Sequence, residues 1–191
     1  VKFQEAIEKY PSLLNTNDWQ TLKQKAENEI NNYQPAQALE YSKKTLKLAE
    51  KLKVKLLIAR SLGLFGWTYQ TFENLDEAAS YYEKSLATYA TLENTTETKI
   101  EASYLINKLA SLYLNPENNK DKNALTNGLT WAYLPFELTR QNSIAIYDDL
   151  KQETYLNIGR GFGISGYFIT QIVWLENLSS MMPKDYADDV K

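Results

Sequence analysis

From Ala59 to Ala90 the apolar and small positions fall into two clusters, Leu62, Phe65, Gly66 and Tyr69, then Ala78, Tyr82, Ser85 and Leu86. Spacings of three and four residues put each cluster on one face of a helix. The short segment Glu73-Asn74-Leu75-Asp76 between them reads as a turn, so the pattern predicts two helices folded back on each other. Comparable pairs recur. Trp19, Leu22 and Ala26 precede Ala38, Ser42, Thr45 and Leu46, and Ile106, Leu109, Ala110 and Tyr113 precede Ala124, Gly128 and Trp131. Tyr155, Ile158, Gly159 and Phe162 precede Gly166, Leu175 and Leu178. Pro35 suits the first turn of a helix, where its missing N–H costs nothing. Asp76, near the start of its helix, complements the helix dipole. Asn115 to Asp121 is a strong helix stop, and Pro135 implies a kink or break between Leu134 and Asp148. Phe162 to Leu178 is the most apolar run, but polar residues interrupt it, so it reads as a buried helix and not a membrane span. Seven Gly and five Pro are too few for the many tight turns of a sandwich or barrel. An all-α protein is expected.

With Ala59 as the first position, the marks fall at 4, 7, 8, 11, 20, 24, 27 and 28. This arrangement resembles the tetratricopeptide repeat, a helix-turn-helix unit with a period of about 34 residues. Leu62 stands where that family has Trp, and Ala90 where it has Pro. Phe3, Ala6, Ile7 and Pro11 match a second helix, so the chain is expected to begin mid-repeat, as a piece of a larger protein. The unit from Asn15 to Leu52 places Trp19, Leu22 and Ala26 at positions 4, 7 and 11, and this alignment needs a turn about three residues longer than the consensus around Asn31 to Pro35. Gly66, Ala110 and Gly159 at position 8 lie 44 and 49 residues apart, which resembles the longer-repeat branch found in bacterial regulators and adaptors. The resemblance implies a right-handed superhelical solenoid of antiparallel helix hairpins. Residues 1–191 would form one repeat domain of about four and a half hairpins.

Composition narrows the chemistry. A net charge of −3 gives no general attraction for nucleic acid, whose binding depends chiefly on Lys and Arg. The absence of Cys excludes disulfides and thiolate chemistry, and the absence of His removes the usual general base and the commonest zinc ligand. No catalytic residue, metal site or cofactor is expected. Without a basic-then-apolar leader at its start, the chain is expected to be cytoplasmic.

Gly161-Phe162-Gly163-Ile164-Ser165-Gly166 spells a dinucleotide-binding fingerprint, but the residues before it read as a charged helix where that fingerprint needs a strand, so close helix packing is the better reading. Asp148-Asp149 and Asp188-Asp189 read as solvated helix ends, and the lysines from Lys43 to Lys55, interleaved with Glu50, as a solvated face. The family resemblance implies that the first helices line a concave surface through positions 2, 5, 9 and 12. Carried over, these are Arg60, Gly63, Trp67 and Gln70, then Tyr104, Asn107, Ser111 and Leu114, then Glu153, Leu156, Arg160 and Gly163, with Asn17, Gln20, Gln24 and Glu27 continuing the surface. Arg60, Trp67, Gln70, Tyr104, Asn107, Ser111 and Arg160 would supply amide and guanidinium donors and aromatic faces to an extended peptide. The expected function is a non-catalytic protein- or peptide-interaction module, with a ligand- or peptide-sensing domain of a larger signalling protein as the alternative. No nucleic-acid or membrane partner is expected, and homo-oligomerisation is left open.

Overall fold

A computed structural model describes residues 15–93 and 95–115, together with Gly128, Thr130, Ala132, Glu153, Thr154 and residues 156–158. Among the described residues the regular structure is entirely helical. The chain divides into two compact units, Val1–Leu92 and Glu93–Lys191. In the first, helix α1 (Thr16–Asn31) is followed by α2 (Pro35–Leu52), α3 (Lys55–Thr71) and α4 (Leu75–Tyr89). The second opens with α5 (Thr96–Tyr113).

Local chemistry starts each helix. The Asn15 side chain accepts from the amides of Asn17 and Asp18, and Asp18 returns a bond to the Asn15 amide, closing a capping box on α1. Thr95 and Thr98 close the same kind of box on α5. Pro35 opens α2, and Asp76 and Glu77 occupy the first turn of α4, as their residue types dictate.

The turns within the two hairpins of the first unit are the same object. Tyr33 N–H bonds to Ile30 O and Gln34 N–H to Glu29 O, with Tyr33 left-handed at φ 54°. Glu73 N–H bonds to Gln70 O and Asn74 N–H to Tyr69 O, with Glu73 at φ 59°. Both are Schellman closures, which satisfy the last carbonyls of a helix with the next two amides. Their identity fixes a 40-residue offset between the hairpins, from Tyr33 to Glu73. Leu22 then stands opposite Leu62, Ala26 opposite Gly66, and Ala38 opposite Ala78. The expected three-residue extension of the first turn is corrected. Leu22 and not Trp19 holds position 4, and no insertion is needed.

Helix α3 is the common neighbour of α1, α2 and α4. Trp19, Leu22, Leu48, Ala49 and Leu57 form one apolar cluster; Ala26, Ile30, Ala38 and Leu64 form another. Hydroxyls are buried along with them, and each is bonded as burial demands. Trp19 Nε1 donates to Ser61 Oγ at 2.9 Å, linking α1 to α3. Ser42 Oγ and Thr68 Oγ1 lie 3.1 Å apart between α2 and α3, and Ser85 Oγ donates to Ala59 O at 2.7 Å between α4 and α3. Gly66 is required by close approach. A Cβ there would land on the Tyr82 ring, with ring Cγ 2.9 Å away.

In the second unit Ile106, Leu109 and Ala110 are buried, in keeping with their repeat positions. A Cβ on Gly128 would meet Leu114 Cγ at 2.8 Å, so this glycine lets its helix sit against the end of α5. The N-terminal half-hairpin, Pro135, the glycine run from Gly161, the Tyr167 to Leu178 segment and the acidic pairs all lie outside the described residues.

Candidate protein-interaction face

The 40-residue offset decides which side chains of α1 share a face with Arg60, Gly63, Trp67 and Gln70 of α3. They are Gln20, Lys23, Glu27 and Ile30. Gln20 and Glu27 keep the places expected of them, whereas Asn17 and Gln24 give way to Lys23 and Ile30. Asn17 is drawn into the start of α1, its amide bonded to the Asn15 side chain, and Gln24 bonds along the helix to Asn28.

Trp67 is half-buried and packs against the Ala26, Ile30, Ala38 and Leu64 cluster. One part of the indole is therefore fixed by the core while the rest meets solvent. Gln70 is not left free by the repeat. Its Oε1 accepts from the Tyr82 hydroxyl at 2.7 Å, an arrangement that fixes the amide's orientation. Nε2 makes no hydrogen bond among the described residues. On α1, Lys23 and Glu27 pair at 2.5 Å one turn apart. Arg60 is half-buried at the other end of the α3 row. The face thus offers an aromatic surface, an oriented amide donor, an ion pair and a guanidinium, with only Ile30 fully withdrawn.

The second unit treats its expected site residues differently. Tyr104 and Ser111 are half-buried on α5, with Ser111 Oγ donating to Lys108 O at 3.2 Å. Asn107 is wholly buried, at 0% exposure, so its expected place on an accessible surface is corrected. Its Nδ2 donates to Thr154 Oγ1 at 2.8 Å, and its carbonyl accepts from Asn157 Nδ2 at 3.2 Å. Asn107 is a seam residue between helices, and Lys108 reinforces the seam through Glu153 at 3.1 Å. Arg160 lies outside the described residues.

Sequence reasoning missed two contributors, Lys23 and Tyr82. Lys23 was hidden by the register error. Tyr82, read as a packing residue, is both the lid over Gly66 and the group that orients Gln70. Thr154 stands at position 3 of its repeat, as Ser61 does, and each accepts a buried hydrogen bond from the preceding first helix of its own unit. That parallel is a signal the apolar pattern alone does not carry.

No helix among the described residues is long and apolar enough to cross a membrane. A comparison with curated proteins found no match. The family model of the tetratricopeptide repeat matches residues 20–91. This family generally mediates protein–protein interaction and is typically non-catalytic. The match begins in α1 and ends just past α4, covering both hairpins of the first unit, and it identifies this segment of the chain as tetratricopeptide repeat.

Proposed function

We propose that the α1/α3 face of the first unit binds an extended segment of a partner protein. The observation that carries this reading is Trp67, anchored in the core on one side and flanked on its own helix by Arg60 and by the Gln70 amide that Tyr82 orients. Half-buried aromatic and guanidinium groups held in place by neighbours lose little freedom on binding, and such groups dominate interface energetics. Gln70 Nε2 suits a peptide carbonyl, and the indole face suits an apolar or proline side chain next to it. Gln20 and the Lys23–Glu27 pair extend the polar rim along α1. On the second unit, Tyr104 and Ser111 are the positions that would serve the same role.

A display library of random twelve-residue peptides tests the reading. Peptides enriched on the wild-type protein are titrated against Trp67→Ala/Arg60→Ala and against Gln70→Glu, with helical circular dichroism confirming the fold. The double variant is expected to weaken binding by at least about tenfold, the loss of a small cluster of interface anchors. Unchanged affinity of the enriched peptides in a folded double variant would remove this face from consideration, as would a library that enriches nothing.

A further inference from the structure

The lysines of α2 and of the turn after it remain outside the interaction face described above. Residues 43–55 contain six lysines and one glutamate, a stretch of net +5 in a chain of net −3, so the remainder carries −8. Nothing in the fold asks for this concentration. Lys43, Lys47 and Lys51 succeed one another at i, i+4 on α2, where like charges repel. Lys53 holds the left-handed cap of α2 at φ 55°, a conformation that favours Gly or Asn. Lys55 opens α3, whose first turn has no acidic residue, and so faces the positive end of a helix dipole. Lys51 is the one that the C-terminal dipole of α2 rewards. Among the described residues Lys43, Lys51, Lys53 and Lys55 make no ion pair, while Lys44 is held by Glu40 at 2.5 Å. Val54, between two of these lysines, is one of the few large apolar side chains left exposed.

We infer that this basic face is a second docking surface, for a short acidic segment of a protein partner. Charge complementarity names the occupant. The lysine-bearing part of α2 is about 15 Å long, which suits roughly five residues of extended chain and offers Val54 as an apolar foothold at its end. The −8 carried by the rest of the chain repels a long polyanion or an anionic bilayer, whose charge extends well beyond the patch, but is largely screened from a short segment seated within it. The surface is carried by α2 and the α2–α3 turn, apart from Trp67 and Gln70, and does not depend on the function proposed for them.

The probe is a fluorescein-labelled ten-residue peptide of alternating Glu and Ser, with the Gln-Ser analogue as its neutral control. The acidic peptide is expected to bind the wild-type chain, to weaken as salt is raised from 50 to 300 mM, and to lose about tenfold or more in affinity against Lys43→Gln/Lys51→Gln/Lys53→Gln/Lys55→Gln. That variant is expected to melt no lower than wild type, since three of its four lysines are unfavourable to the fold, and Trp67→Ala is expected to bind the acidic peptide as wild type does. Equal binding of the neutral peptide, unchanged affinity in the quadruple variant, a variant that unfolds, or tighter binding to duplex DNA or phosphatidylserine vesicles would each overturn the inference.

Discussion

The first and second hairpins of the N-terminal unit are two solutions to one backbone problem. Ala26 faces Ser42 in register with Gly66 and Tyr82. In the second hairpin the first helix gives up its last side-chain carbon, and the facing residue grows from a hydroxymethyl to a phenol that fills the space. On the outer side, Tyr41 of the first hairpin has Lys25 and Lys44 over its ring, with Nζ 5.8 and 5.1 Å from the centroid. Tyr81, its counterpart, stacks on Phe65 at 4.7 Å and on Tyr69 at 5.4 Å, and retains only the lysine, Lys84, at 4.7 Å. The backbone frame depends on small residues at two crossings and on a left-handed turn residue. Everything between is exchangeable as long as volume is conserved across a pair, which is the general tolerance of packed cores.

The sharpest way to break that comparison is to disturb the tight pair and its loose counterpart in parallel. Tyr82→Ala is expected to cost about 3–5 kcal/mol, the usual penalty for truncating a fully buried aromatic, whereas Ser42→Ala should cost about 1 kcal/mol through its lost bond to Thr68. Gly66→Ala should cost about 1–3 kcal/mol despite alanine's better helix propensity. Ala26→Gly should lose about 1 kcal/mol for the opposite reason, that glycine weakens a helix interior. Gly66→Ala combined with Tyr82→Ala should cost less than the sum, since the clash disappears with the ring. Urea unfolding of the set measures all of these, and a neutral Gly66→Ala would show that the tight crossing is not tight.

A smaller effect tests the shared frame itself. Tyr33→Gly and Glu73→Gly should each stabilise by up to about 1 kcal/mol, because glycine enters the left-handed region without the Cβ penalty. Equal gains confirm the equivalence of the turns; a gain at one and a loss at the other would break it. The smallest effect is confined to the second hairpin. Burial raises the Tyr69 phenol above its ordinary value, with Tyr81 and Glu77 adding to the shift. Its neutral form is therefore favoured in the folded protein. The associated stability is present below about pH 10, the unfolded phenol's value, and is lost as pH rises through the higher folded value. Denaturant titrations above pH 10 should show a steeper decline for wild type than for Tyr69→Phe. Identical slopes would refute the buried phenol.

The second hairpin was readable from its residues because Gly66, Tyr69, Ala78 and Tyr82 each announce a packing role by type. The first was readable as helices but not in register. Trp19 outranked Leu22 as the large residue expected at position 4, although its indole belongs to the seam with Ser61 one turn earlier. The turns gave no help, because the left-handed residues are Tyr33, Lys53 and Glu73, none of which signals that conformation as Gly or Asn would. The interaction face inherited the error, exchanging Lys23 for Gln24. Asn107 failed for a different reason. A polar side chain at a position assigned to the surface is buried when its amide finds Thr154, and a partner 47 residues away cannot be read from a helical period.

The buried hydroxyls around α3 also have a mechanical consequence. Ser61 meets Trp19, Thr68 meets Ser42, and Ser85 meets the Ala59 carbonyl, one contact on each seam that α3 shares with a neighbour. Each exists at a single axial offset, so sliding a helix along α3 by one turn, about 5.4 Å, would strand its dowel inside the core. The first unit is therefore stiff against shear and yields, under load, by prying helices apart rather than by creeping along them.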